Sequence, residues 1–341
     1  MLSGKNIVIF SPQRWSHLYV SKHHYAMELA KNNNVWFISA PDEGIGKGYS
    51  VRNFDLVPRL KLVDYRILLP GIFKFKAPRL YKKVTERALG KLISRIAGKV
   101  DWCIDFGCYQ FFNSLDFIKA DTKVYFPVDD FGDLLPMDRG AQKIFSVSTI
   151  IVEKFRRAGL DCHFINHGLA QVFADKAEIR LSNENFGNIG RTLKFGYSGN
   201  IFIRFLDIPV LKNIISQHPD IEFHFFGNKN FDPSNDTQKQ WSDFLQTASN
   251  VKLRGFMPPE DLASASEEMD GFLLCYKPDY KDYHAENSHK VFEYLSSGKV
   301  LVSTYLSLYE GNTLICMSPK DRNEDLPKLF AKVVEQIEQW N

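Results

Sequence analysis

Short apolar runs closed by glycine, proline, asparagine or serine alternate along this chain with stretches of helical period, and that alternation restricts the fold more than any other feature. NIVIF at 6–10 and VWFIS at 35–39 read as buried strands. Between them Tyr25 and Leu29, and Ala26 and Ala30, share one helical face. Strand, helix and strand in so short a span make a βαβ unit and start a parallel sheet. Further strands are expected at 65–69, 100–104, 123–126, 142–146 and 162–166. The pattern restarts at 193–197 and continues with strands at 221–226, 251–254, 271–276 and 300–302. At 341 residues the chain favours two domains over one. The polar, aperiodic stretch 174–192 reads as the linker, giving an N-terminal domain at 1–173 and a second at 193–325. An amphipathic helix closes the chain at 326–341.

The unit at 286–304, ENSHKVFEYLSSGKVLVST, holds the most informative polar residues. Asn287 or Ser288 can cap a helix, Val291, Phe292, Tyr294 and Leu295 form its apolar stripe, and Gly298 stops it before the strand. Lys290 and Glu293 are three apart, so both lie on one face near the helix N-terminus. A cation beside a helix N-terminus attracts phosphate, and a carboxylate one turn on can accept from sugar hydroxyls. A solvated Lys–Glu pair is the alternative reading. Upstream, a strand runs into Ser198-Gly199-Asn200, where Gly199 permits close backbone approach to a ligand and Arg204 follows five residues later.

Asn287-x-x-Lys290-x-x-Glu293-Tyr294-Leu295 followed by Gly298-Lys299-Val300 resembles the donor-site motif of GT-B glycosyltransferases, in particular the family 4-like group. The resemblance implies two Rossmann-like domains facing a cleft, with the last helix crossing back to the first domain. It also implies that Glu293 holds the nucleotide ribose and that Gly199, Asn200 and Arg204, with Asn287, Ser288 and Lys290, cradle the diphosphate. The nucleobase would lie against the bend at Phe256 and Met257. Glu286 is the candidate for the family's other glutamate, although only six residues separate it from Glu293, one short of the family spacing. The lysine usual a few residues beyond Arg204 is missing, since Ile208 and Pro209 stand there, and Lys290 is the candidate to replace its charge.

The first domain offers acceptor-side candidates. His17, His23 and His24 crowd the loop after the first strand, where α/β folds place ligands, and His17 and His23 are the substrate candidates. Asp129 and Asp130 end the strand at 123–126; there the family often has a His-Asp pair, so the likeness is one of position. A carboxylate at this place serves as base or orients a hydroxyl, and a loop cap is the competing reading. From Arg59 to Lys99, twelve Lys/Arg stand against two acidic residues in a chain whose net charge is only +3. Lys83, Arg87, Lys91, Arg95 and Lys99 recur every fourth residue beside an apolar row expected at Leu80, Val84, Ala88, Leu92 and Ile96. That basic ridge is either a solvated face or a docking surface for an anionic membrane. No nucleic-acid recognition motif accompanies it.

Five cysteines without CxxC or paired zinc spacing read as reduced, buried thiols. The N-terminal apolar run is too short for a signal peptide, and none approaches the ~20 residues of a membrane span, so a cytoplasmic chain is expected, with contact at the inner membrane face if the ridge docks. The expected reaction is transfer of a sugar from a UDP- or GDP-linked donor to a saccharide or lipid-linked acceptor in cell-surface polysaccharide synthesis. No cofactor or metal is expected, because cations and helix N-termini can neutralise the leaving diphosphate; the resemblance implies retention of configuration. A non-catalytic nucleotide-sugar-binding subunit and a nucleotide-sugar 2-epimerase are the alternatives on the same fold.

Overall fold

The computed structural model describes residues 2–16, 19–46, 48–128, 137–182, 192–278 and 287–340. It divides into two compact units, Met1–Asn166 and His167–Asn341. The first contains β1 (Asn6–Phe10), α1 (Ser21–Ala30), β2 (Asn34–Ile38), β3 (Tyr49–Phe54), β4 (Val57–Tyr65), α2 (Phe73–Lys76), α3 (Pro78–Ile96), β5 (Val100–Asp105), β6 (Ala120–Tyr125), β7 (Lys143–Ser146), α4 (Thr149–Arg157) and β8 (Cys162–Phe164). Its strands form one sheet in the order β3-β4-β2-β1-β5-β6-β7-β8, parallel except at the β3–β4 edge. Apolar residues alternate between two cores, Val8 and Phe10 entering one and Ile7 and Ile9 the other, because successive strand side chains face opposite sides of the sheet.

The second unit contains α5 (Gln171–Leu181), β9 (Lys194–Ser198), α6 (Ile208–Gln217), β10 (Glu222–Phe226), α7 (Asp236–Thr247), β11 (Val251–Gly255), α8 (Pro259–Glu267), β12 (Gly271–Leu274), α9 (His289–Ser296), β13 (Val300–Ser303), β14 (Ile315–Met317), α10 (Leu326–Glu335) and α11 (Ile337–Trp340). Its sheet is parallel throughout, in the order β11-β10-β9-β12-β13-β14. Leu326, Phe330 and Val333 of α10 are buried in this unit's own core. Each unit is thus a Rossmann-like α/β domain, as the alternation of elements predicts.

Three expectations need correction. The strand expected at 65–69 is instead the β3–β4 hairpin ending at Tyr65; β3 is an edge strand whose residues are mostly exposed, so it lacks the apolar run that betrays a buried strand. The buried row of α3 is Tyr81, Thr85, Leu89, Leu92 and Ile93, rotated from the expected one, and Leu80 is half exposed. The segment read as a linker from 174 begins as helix α5, and the units divide before it, at Asn166. That helix buries only Phe173 and is fastened by Arg180 to Glu267, so polar contacts replace the apolar stripe a sequence reading looks for. The rest of that stretch, 183–191, lies outside the described residues.

Candidate functional site

Chemistry in the second unit gathers where the carboxyl ends of β9 and β12 meet the start of α9. Three glycines end adjacent strands or begin their loops. Gly199 N–H donates to the Phe226 carbonyl (2.7 Å), and Gly227 N–H donates to the Gly255 carbonyl (2.9 Å). A Cβ on Gly227 would lie 1.8 Å from the Gly199 carbonyl oxygen, so no other residue fits without moving backbone. Gly227, which sequence reading passes over as a strand terminator, is therefore what lets the Gly199 loop fold down onto β10.

Lys290 reaches back over that loop. Its Nζ would be 2.5 Å from a Cβ on Gly199, whose φ of +120 also favours glycine. The ammonium donates to the phenol oxygens of Tyr197 (3.3 Å) and Tyr276 (3.4 Å) and lies 4.7 Å from the centre of the Tyr197 ring. Among the described residues no carboxylate forms an ion pair with it. Two neutral oxygens and a ring face orient a cation without forming an ion pair with it. Tyr294 fixes the helix to the strand below: its hydroxyl accepts from Ser198 N–H (2.8 Å), and its ring stacks on Phe272 at 4.2 Å.

Glu293, one turn beyond Lys290, is largely buried, with 17% of its side chain exposed. Burial pushes its carboxyl up to about 7, opposed by the nearby Lys290 charge. His289 Nε2 stands 3.7 Å from the same carboxyl group. Asn287 is buried; its Oδ1 accepts from the Tyr309 hydroxyl (2.9 Å), and its carbonyl meets His167 Nε2 at 3.1 Å. Ser288 is the N-cap residue of α9 but makes no side-chain capping bond. Its buried hydroxyl and the first-turn amides stand beside Lys290 in sequence.

The other donor-side candidates fall around this centre. Asn200 Oδ1 accepts from Phe202 N–H, and its carbonyl accepts from Tyr197, so Asn200 shapes the loop. Arg204 is exposed on the same loop, which is tied to the end of β12 by Lys277 N–H donating to the Phe205 carbonyl (2.8 Å). Phe256 is half exposed just after β11, and Met257 packs partly against the core. Glu286, His17, Asp129 and Asp130 lie outside the described residues.

In the first unit, His23 is a core residue and not an exposed contact. Trp15 and Phe37 flank its ring, and Nδ1 accepts from Val20 N–H (3.0 Å) at the start of α1. Burial lowers its pKa to about 4, which keeps it neutral. The signal that suggested it, three histidines in one loop, does not distinguish inward from outward. Asp105, at the carboxyl end of β5, and Arg139 form a buried pair at 2.7 Å. Lys83, Arg87, Lys91 and Arg95 are exposed as expected, along a groove closed by Phe117, Lys119 and Lys123. That groove lies at the amino ends of β5 and β6, the opposite end of the sheet from the usual ligand side.

No protein-family model matches the chain, and no curated protein matches it in sequence. Solved structures do match. Sucrose-phosphate synthase from Thermosynechococcus elongatus aligns with a TM-score of 0.66 at 12% identity, over 97% of this chain and 90% of that one. HepE from Anabaena, in complex with UDP and glucose, aligns at 0.61 and 12%, over 98% and 91%. The catalytic domain of starch synthase IV from Arabidopsis thaliana, bound to ADP and acarbose, aligns at 0.63 and 10%, over 99% and 94%. At such identities the likeness is one of fold: two Rossmann-like domains of the GT-B kind. Among the described residues no helix is long and apolar enough to cross a membrane.

Proposed function

We propose that the protein is a glycosyltransferase that moves a hexosyl group from a UDP- or GDP-linked sugar to a saccharide or lipid-linked acceptor. The observation that carries this reading is the Lys290 ammonium, held over Gly199 by two phenols and, among the described residues, by no carboxylate ion pair, with the Glu293 carboxyl one helical turn away. A cation over a glycine turn suits a diphosphate, and a sheltered carboxylate suits ribose hydroxyls. Glycosyl transfer leaves negative charge on the departing nucleoside diphosphate. Fixed donors aimed at that charge lower the barrier, and Lys290, Arg204 and the first-turn amides of α9 fill that role without a metal ion. Bound UDP in HepE and bound ADP in starch synthase IV support a nucleotide-sugar donor in proteins of this fold. Asp129, Asp130 and His17 are the acceptor-side candidates, and retention of configuration is part of the proposal.

The acceptor side of the proposal includes a cytoplasmic enzyme working against an anionic membrane, as in cell-surface polysaccharide synthesis. Leu68, Ile72, Phe75 and Leu80 are exposed, Phe75 by 80%, and they lead into the exposed cations of α3. Apolar side chains beside a basic ridge match a bilayer interface. Changing Lys83, Arg87, Lys91 and Arg95 together to Gln removes about 4 kcal/mol of binding to phosphatidylserine vesicles, at ~1 kcal/mol per cation. Undiminished vesicle binding would reduce the ridge to a solvated face.

The test of the activity is release of nucleoside diphosphate from UDP- and GDP-sugars in the presence of saccharide and lipid-linked saccharide acceptors. Acceptor-dependent release that is lost in Lys290→Met supports transfer. Tight donor binding without release from any acceptor indicates the non-catalytic subunit, and interconversion of the sugar without acceptor indicates the epimerase.

A further inference from the structure

Helix α9 carries both Lys290 and Glu293, yet it has only eight residues and no side-chain cap. Two turns of helix are marginal alone, so the direction of those side chains must be imposed from outside. Two residues outside the helix grip it at its ends. Before the first turn, His167 Nε2 lies 3.1 Å from the Asn287 carbonyl oxygen. Because a carbonyl only accepts, this nitrogen carries the proton and donates. Tyr309 holds the Asn287 side chain from the other side, so the residue leading into α9 is fixed through main chain and side chain. At the other end, Arg180 Nη1 donates to the Ser296 carbonyl at 2.6 Å. The last carbonyls of a helix lack partners within it, and a cation there also complements the helix dipole. Arg180 is itself anchored by a two-point contact with Glu267 of α8.

We propose that His167 and Arg180 are positioning residues for the nucleotide, clamping α9 at both ends so that Lys290 meets the diphosphate and Glu293 the ribose. The proposal rests on the nucleotide-site reading above. Both residues lie where the chain enters the second unit, His167 as its first residue and Arg180 in α5, within the stretch 174–192 that reads as a linker. Neither carries charge to the ligand directly. They act through Asn287 and Ser296, and loss of either lets α9 shift by a fraction of a turn. A displacement of that size costs contacts that depend on ångström placement.

The experiment titrates UDP, GDP and ADP, with UMP, GMP and AMP, into wild type and four variants by calorimetry, after melting curves confirm that each variant is folded. His167→Gln keeps an N–H donor and loses the ring; His167→Phe keeps the ring and loses the donor. Arg180→Lys keeps the charge; Arg180→Met does not. His167→Phe and Arg180→Met are expected to weaken the preferred diphosphate roughly tenfold or more, and its monophosphate less. His167→Gln should stay close to wild type and Arg180→Lys fall between. Unchanged diphosphate affinity in folded His167→Phe and Arg180→Met overturns the clamp. So does a His167→Gln variant as weak as His167→Phe, which would make the ring and not the hydrogen bond the requirement. A wild type that binds none of the nucleotides overturns the site itself, and the clamp with it.

Discussion

Two cations at strand ends, one in each unit, are used in opposite ways. Arg139 is 2% exposed; its Nε donates to Asp105 at 2.7 Å, its Nη2 to the Phe112 carbonyl at 3.1 Å, and the rings of Phe112 and Tyr125 flank it. Asp105 also accepts from Cys108 N–H. That guanidinium is bonded to a carboxylate and a carbonyl inside the protein. Lys290 has the aromatic support but, among the described residues, no carboxylate ion pair: phenol oxygens orient it and leave it able to meet a ligand's charge. A buried cation paired with a carboxylate is architecture, and one hydrogen-bonded only to phenols among the described residues suits an incoming anion.

Exchanging each cation for methionine breaks the comparison most directly. Arg139→Met leaves Asp105 buried without its partner and costs roughly 3–5 kcal/mol of stability, read by urea unfolding. Lys290→Met changes stability by less than about 1 kcal/mol and instead weakens nucleoside diphosphate binding roughly ten- to hundredfold, the range of a lost charged hydrogen bond. Equal stability losses in the two variants would erase the distinction.

The Glu293 carboxyl gives the next effect. Because its pKa in the fold, about 7, lies above the ordinary carboxyl value, the folded state holds the proton more tightly than the unfolded state. Stability therefore falls as pH rises from about 4.5 to 7, and Glu293→Gln should flatten that slope and gain about 2–3 kcal/mol at pH 8. Binding runs the other way: a UDP- or GDP-sugar needs the ionised carboxylate as acceptor, so its affinity rises through pH 7 in wild type and not in Glu293→Gln. Parallel pH profiles for the two proteins would show that Glu293 takes no part in binding.

Smaller effects sharpen the geometry. Gly227→Ala puts a methyl group against the Gly199 carbonyl and should cost about 1–3 kcal/mol as backbone shifts to admit it. Tyr197→Phe keeps the ring under Lys290 and removes one oxygen, a loss of about 0.5–1.5 kcal/mol. A neutral Tyr197→Phe in both stability and nucleotide affinity would assign the orientation of Lys290 to Tyr276 alone.

What the sequence makes legible follows from which forces hold each element. Strands β1, β2, β5, β9, β10 and β13 are buried on both faces and announce themselves as apolar runs. Edge strand β3 and helix α5 do not, since one is exposed and the other is held by Arg180, Gln171 and Asp175 through polar contacts. Within the site, Lys290 and Glu293 are legible because helical spacing alone puts them on one face. Tyr197, Tyr276, Gly227 and His167 are not, because what matters about them is a partner between 14 and 120 residues away in the chain. His23 shows the converse failure: residue type suggested reactivity, and packing between Trp15 and Phe37 withdrew it.

The most direct measurement is calorimetric titration of UDP, GDP, ADP and dTDP into wild type and Glu293→Ala. One diphosphonucleoside is expected to bind wild type tightly and to lose most of its affinity in the variant, which would also name the base. Wild-type protein that binds none of the four would contradict a nucleotide site at Lys290 and Glu293, while leaving the two-domain fold untouched.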